Sequence, residues 1–90
     1  MSEEPSSELV ELYRIHIPDY LDQLEKAIVE RDKVKMRDVA HNIASAMGSI
    51  DDMVSSDLFR RIEKEDLSYA EVAALLKQAS MIARTTLDNL

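Results

Sequence analysis

The residues best suited to chemistry in this chain gather around one histidine, in the stretch AHNIASAMGSI at residues 40–50. A neutral imidazole has a free lone pair on one ring nitrogen and can act as a nucleophile. On a helix, Arg37 lies one turn before His41, Ser45 one turn after it and Gly48 two turns after it, so all three are its surface neighbours. The pattern predicts an imidazole standing clear among small side chains, which a broad partner surface could approach closely.

The apolar residues of this stretch lie on the side of the helix away from His41. Each residue of an α-helix advances about 100°, which places His41 about 140° from the start of the apolar stripe. Arg37, Ser45 and Gly48 fall within about 40° of His41, and Ala44 borders the same face. The stripe itself spans roughly 60° to either side of its first member and comprises Met36, Val39, Ala40, Ile43, Met47 and Ile50. The prediction is therefore an outward-facing histidine on a helix that packs through its opposite side.

Other candidate sites in the sequence are weaker. The carboxylate pairs Asp19–Asp22 and Asp51–Asp52 are interpreted as solvated, and His16 as a capping or loop residue where a first helix ends. The sequence has no glycine-rich phosphate loop, so nucleotide-dependent kinase activity is not supported and the chain is not expected to be an enzyme. His41 itself has a plain alternative, since an isolated exposed histidine on a helix is most often only solvated.

Apolar spacing and helix punctuation predict that helices carry these residues. Pro18 disfavours helical geometry at Ile17 and separates a first short helix from a second, while Ser68 with Glu71 forms a capping-box pattern at the start of the last. The predicted fold is all-α: an antiparallel up-down four-helix bundle with an additional short N-terminal helix. Residues 1–6 are predicted to be a flexible leader and 7–90 a single domain. The predicted helices span 7–16, 18–31, 34–50, 52–65 and the residues from 68 onward.

Composition limits the classes of partner. The chain has 90 residues, 46% of them apolar and 32% charged, which is typical of one globular domain. Its formal net charge of −7 argues against nucleic acid or an anionic membrane as the main partner, because both attract cations. The sequence has no cysteine, no apolar run long enough to cross a bilayer and an acidic N-terminus unlike a signal peptide. A cytoplasmic protein is expected.

The motif around His41 resembles that of the histidine-containing phosphotransfer (HPt) domain family. The family pattern is Ala-His, any residue, Leu or Ile, Lys-Gly, two small residues, Gly, any residue, an apolar residue and Gly. The resemblance extends from about Leu9 onward and includes Leu58, Ile62 and Glu63 in the following helix. It implies a four-helix bundle whose exposed histidine carries a phosphoryl group. The matching residues in the motif are Ala40, His41, Ile43, Ala46, Gly48 and Ile50.

The departures from the family pattern that concern its Lys and Gly residues lie at three positions. Ala44 stands in place of the family Lys, Ser45 in place of the following Gly, and Asp51 in place of the Gly ten residues after the histidine. The family Lys helps to neutralise the phosphoryl group, so its replacement removes a nearby cation. Arg37 is a hypothetical substitute because its guanidinium suits phosphate oxygens, and the Ser45 hydroxyl can donate a hydrogen bond to them.

The resemblance implies that His41 accepts a phosphoryl group from an aspartate of a response-regulator receiver domain and passes it to another receiver. The protein would hold no cofactor or metal of its own, since Mg²⁺ is expected on the receiver. The implied partners are receiver domains and a hybrid histidine kinase, and the chain is expected to be a monomer. The docking residues expected beside His41, Arg37 and Ser45 are Asp38, Ala44 and Gly48.

Two other functions remain open on the sequence. Because Ala44 replaces the family Lys, the chain could be an HPt-like interaction module that docks on a receiver or kinase with phosphotransfer impaired. It could also be an unrelated helical adaptor in which the exposure of His41 is incidental.

Overall fold

The computed structural model describes residues 7–90, which form four α-helices and no strand. The prediction of an all-α fold is confirmed for this part of the chain, and the predicted leader, 1–6, lies outside the described residues. The short connections between the helices coincide with the charged and polar residues that separate the apolar stripes in the sequence. The helices are α1 (Ser7–Val29), α2 (Lys33–Ser49), α3 (Met53–Lys64) and α4 (Tyr69–Asp88).

The helix α1 continues through Pro18, so the prediction of a separate short N-terminal helix is wrong. A proline inside a helix removes a backbone hydrogen bond and costs about 3 kcal/mol. Ile17, Leu21 and Leu24 are all buried on one face of α1. Burying each such side chain contributes roughly 1.5–3 kcal/mol, and together they outweigh the cost of the proline. His16 is therefore an exposed residue inside α1, not a residue at its end.

Side-chain caps fix where the other three helices begin. The Asp32 carboxylate accepts a hydrogen bond from the backbone N–H of Lys35 at 3.1 Å, which starts α2. Ser68 and Glu71 form the predicted capping box, with bonds of 3.1 and 3.2 Å, which starts α4. Such caps satisfy backbone N–H groups that lack partners in the first turn.

Asp52 starts α3 and is buried, contrary to its interpretation as a solvated residue. Its Oδ1 accepts the backbone N–H of Ser55 at 3.0 Å, and its Oδ2 accepts the hydroxyl of Ser55 at 2.7 Å. The hydroxyl of Thr86 on α4 donates to the same Oδ2 at 2.6 Å. This carboxylate therefore satisfies donors on two helices at once, which is what its burial requires.

The four helices enclose one apolar core. Each helix packs against the next in the chain, and α4 also packs against α1. At one end of the α1–α4 contact, the Arg14 guanidinium donates hydrogen bonds to the carbonyl oxygens of Leu87 and Leu90, at 3.1 and 2.6 Å. Within residues 7–90, no helix has both the length and the apolar character needed to cross a membrane. The largest fully buried apolar side chains are Phe59, Ile17, Leu24, Ile43, Met47, Ile62 and Val72.

Candidate functional site

His41 lies on the outer surface of α2, as the apolar periodicity predicts, and 59% of its side chain is exposed. Its Nδ1 atom lies 2.9 Å from the Oε2 atom of Glu63 on α3. The Glu63 side chain is only 19% exposed, so this contact lies in the groove between the two helices. His41 Nε2 makes no hydrogen bond to any residue in the described range 7–90. One edge of the ring is therefore held by α3 while the other edge faces solvent.

This contact selects one form of the neutral imidazole. A carboxylate only accepts hydrogen bonds, so Nδ1 carries the proton and donates it to Glu63 Oε2. The lone pair of the ring then lies on Nε2, the nitrogen that faces solvent. A carboxylate that orients a histidine in this way also stabilises positive charge on the ring. The arrangement suits an imidazole that attacks an electrophile through Nε2.

Glu63 has a second oxygen that the fold leaves without a partner. Oε1 is buried and makes no hydrogen bond within the described part of the chain. A buried polar atom without a partner costs roughly 1–3 kcal/mol. The position of this carboxylate is thus poorly explained by stability alone. Sequence reasoning noted Glu63 only as a match to the family pattern and assigned it no role, because its contact with His41 depends on how α2 and α3 pack.

Ala44 does not border the exposed face, which corrects its assignment as a docking residue. It is buried, with 1% exposure, beneath α3. Its carbonyl oxygen accepts a hydrogen bond of 2.9 Å from the hydroxyl of Ser56. A Cβ atom added to Gly48 would lie 3.4 Å from the same hydroxyl oxygen. The small residues that follow His41 therefore allow α2 and α3 to approach closely, and this packing accounts for Ala44 more directly than a bare docking face does.

The remaining candidates on α2 do lie at the surface. Arg37, Asp38 and Ser45 are exposed, and Gly48 is half-buried. The side chains of Arg37 and Ser45 make no hydrogen bond or ion pair with the residues that the structure describes, although the Ser45 carbonyl accepts the hydroxyl of Ser49 at 2.9 Å. Arg37, His41 and Ser45 thus form one exposed row along α2, with both flanking side chains free to contact a ligand.

Asp51 adopts a left-handed backbone conformation, with φ of 63°. It follows the end of α2, where its N–H donates to the carbonyl oxygen of Gly48 at 3.1 Å. Glycine is the residue that adopts positive φ at least cost. The chain therefore places a glycine-like conformation at the position where the HPt family pattern carries Gly.

Among residues 7–90, no three His, Asp or Glu side chains are grouped so that they could hold a metal ion. His16, the second histidine, lies on α1 with its ring 6.4 Å from that of Tyr20. The chemistry that this geometry supports is that of a single exposed imidazole with an ordered tautomer.

Comparisons with protein-family models, with curated proteins and with solved structures find no match to this chain. The features of the molecule that indicate a function are therefore the residues around His41 and the contacts that α3 makes with them.

Proposed function

We propose that this protein is a histidine phosphotransfer protein of a two-component phosphorelay. The observation that carries this proposal is the exposed His41 ring, held at Nδ1 by Glu63 and open at Nε2. An accessible imidazole with a fixed tautomer is what a phosphoryl carrier requires. In this proposal the four helices form an antiparallel up-down bundle, and the protein acts as a monomer in the cytoplasm.

The proposed reaction begins when His41 Nε2 attacks the phosphorus of an aspartyl phosphate on a receiver domain. The N–P bond forms as the P–O bond to the aspartate breaks, and the bonding electron pair leaves with the aspartate carboxylate. The proton on Nδ1 stays in place, so the ring gains positive charge, which the Glu63 carboxylate stabilises. Transfer to a second receiver reverses these steps. The protein supplies a nucleophile and a docking face, and has no kinase activity of its own.

Several features beyond the histidine support the likeness to HPt domains. The motif residues from Ala40 to Gly48 fall on α2, and Glu63, which matches the acidic position of the following helix, reaches the histidine. Asp51 has the backbone conformation that favours Gly, which is the residue of the family pattern at that position. The contact between Glu63 and His41 links residues that are 22 positions apart in the sequence and that the short motif alone does not relate.

The exposed row on α2 provides the other parts of the proposed site. Arg37 is proposed to contribute a cation to the phosphoryl group and Ser45 a hydroxyl hydrogen bond. Asp38 and Gly48 are proposed to lie within the surface that meets the receiver. Ala44 is no longer among these residues because it is buried.

A second function deserves testing because of Ala44. The family Lys is absent and the residue in its place lies under α3, so α2 has no cation at that position. An interaction module that binds a receiver or kinase without carrying phosphate is consistent with this observation. The two functions share a docking face and differ in whether His41 becomes phosphorylated.

The experiment that tests the proposal incubates the protein with phosphorylated receiver domains and measures phosphate on the protein. Phosphate on histidine is labile in acid and stable in base, which distinguishes it from phosphoserine and phosphothreonine. His41→Gln is expected to abolish the signal, and the matched variant His16→Gln to leave it unchanged. Receiver binding without His41-dependent phosphate would support the interaction module instead.

A further inference from the structure

We infer that Arg60, on α3, is a phosphate-binding residue that faces His41 across the groove between α2 and α3. This inference rests on the proposed phosphotransfer function and goes beyond it by naming a second cation, in addition to Arg37, that compensates for the missing family Lys. Sequence reasoning considered only Arg37 for this role. The packing of α2 against α3 points to a second cation that lies far from the histidine in sequence.

Two contacts fix the register of α3 against α2. Glu63 reaches His41, and Ser56 donates its hydroxyl to the Ala44 carbonyl oxygen. Arg60 lies between these two α3 residues, four positions after Ser56 and three before Glu63. On the helical wheel it falls about 40° from Ser56 and about 60° from Glu63. Arg60 therefore lies on the side of α3 that faces α2. Along the helix axes, its position falls between those of His41 and Ala44.

Burial shows that Arg60 lies on the solvent side of this groove. Phe59 and Ile62 are fully buried and mark the core side of α3, whereas Arg60 is exposed. His41 lies on the corresponding outer edge of α2 and is also exposed. The two side chains thus lie at the exposed edges of α2 and α3, on the outer side of the contact between these helices.

The guanidinium of Arg60 is free to bind a ligand. It makes no hydrogen bond or ion pair within residues 7–90, whereas its neighbour Arg61 pairs with Glu65 at 3.1 Å. A planar fork of N–H donors at this edge of α3 matches the oxygens of a phosphoryl group.

The test uses phosphoramidate, a small phosphoryl donor that needs no receiver. Its N–P bond breaks as Nε2 forms a new one, and ammonia leaves. Phosphorus NMR and mapping by mass spectrometry measure the rate at which His41 and His16 are each phosphorylated. His16 serves as an internal reference because it lies on α1. Arg60→Gln is expected to slow modification of His41 about three- to tenfold while His16 is unaffected. The control variant Arg61→Gln is expected to be phosphorylated at His41 at the wild-type rate. Arg60→Lys is expected to be phosphorylated at a rate between those of Arg60→Gln and the wild type.

Equal rates at His41 in the wild type and in Arg60→Gln would overturn the role of Arg60, as would equal slowing at both histidines or no modification of His41 in the wild type. The phosphoramidate experiment is independent of the experiment with receiver domains. A protein that no receiver phosphorylates, but in which Arg60→Gln selectively slows His41, retains the anion-binding groove and loses the proposed relay function.

Discussion

The Nδ1 atom of His41 and the Oε2 atom of Glu63 lie 2.9 Å apart and join the surfaces of α2 and α3. The contact leaves Nε2 facing solvent and leaves the second oxygen of Glu63 buried without a partner in the described part of the chain. A carboxylate that serves only stability would be expected to have both oxygens satisfied. The arrangement is better explained by its effect on the histidine.

Glu63→Leu should separate stability from phosphotransfer. The substitution removes a buried oxygen that lacks a partner, so the free energy of unfolding is expected to stay unchanged or rise by about 1 kcal/mol. Transfer to His41 should fall at least about tenfold, because the ring loses the group that orients it. Urea unfolding and a transfer assay on the same samples measure the two effects. Wild-type transfer in Glu63→Leu would show that the contact has no role in the chemistry, and Glu65→Leu serves as an exposed control.

Restoring the lysine of the family pattern is expected to destabilise this protein. Ala44 is buried under α3, so Ala44→Lys forces a long side chain into a close helix contact and should lower the free energy of unfolding by about 1–3 kcal/mol. The adjacent variant Ser45→Lys places the same side chain at an exposed position and should change it by less than about 0.5 kcal/mol. Thermal or urea unfolding compares the two variants. Equal stability would mean that α3 does not close over Ala44 in solution.

Asp52 is expected to be the most important helix cap in the fold. Asp52→Ala removes the cap of α3 and leaves the hydroxyls of Ser55 and Thr86 without their acceptor, which should cost about 2–4 kcal/mol. Asp32→Ala removes an exposed cap whose carboxylate accepts one hydrogen bond within the described residues, from the backbone N–H of Lys35, and should cost about 1 kcal/mol. The difference in the free energy of unfolding between the two variants is the measurement. A smaller loss for Asp52→Ala than for Asp32→Ala would contradict the linkage between α3 and α4.

The sequence predicted those features that depend on residues close to one another. The capping box of Ser68 and Glu71 and the outward position of His41 both follow from spacing within one helix. The predicted helix break at Pro18 was wrong because the burial of Ile17 and its neighbours outweighs the local tendency of proline to interrupt a helix.

The features that sequence reasoning missed depend on the register between helices. A helical wheel places Ala44 at the border of a face but does not indicate which neighbouring helix covers that border. Glu63 lies 22 residues from His41, and only the packing of α2 against α3 brings the two together. Asp52 likewise looks like an ordinary helix-start residue until Thr86 of α4 is found beside it.

The most direct test of the central claim is the site of phosphorylation after incubation with a phosphorylated receiver domain. The wild type and His16→Gln are expected to acquire acid-labile, base-stable phosphate on Nε2 of His41, and His41→Gln to acquire none. Phosphate that persists in His41→Gln, or its absence from the wild type with every receiver that binds the protein, would contradict the proposed function.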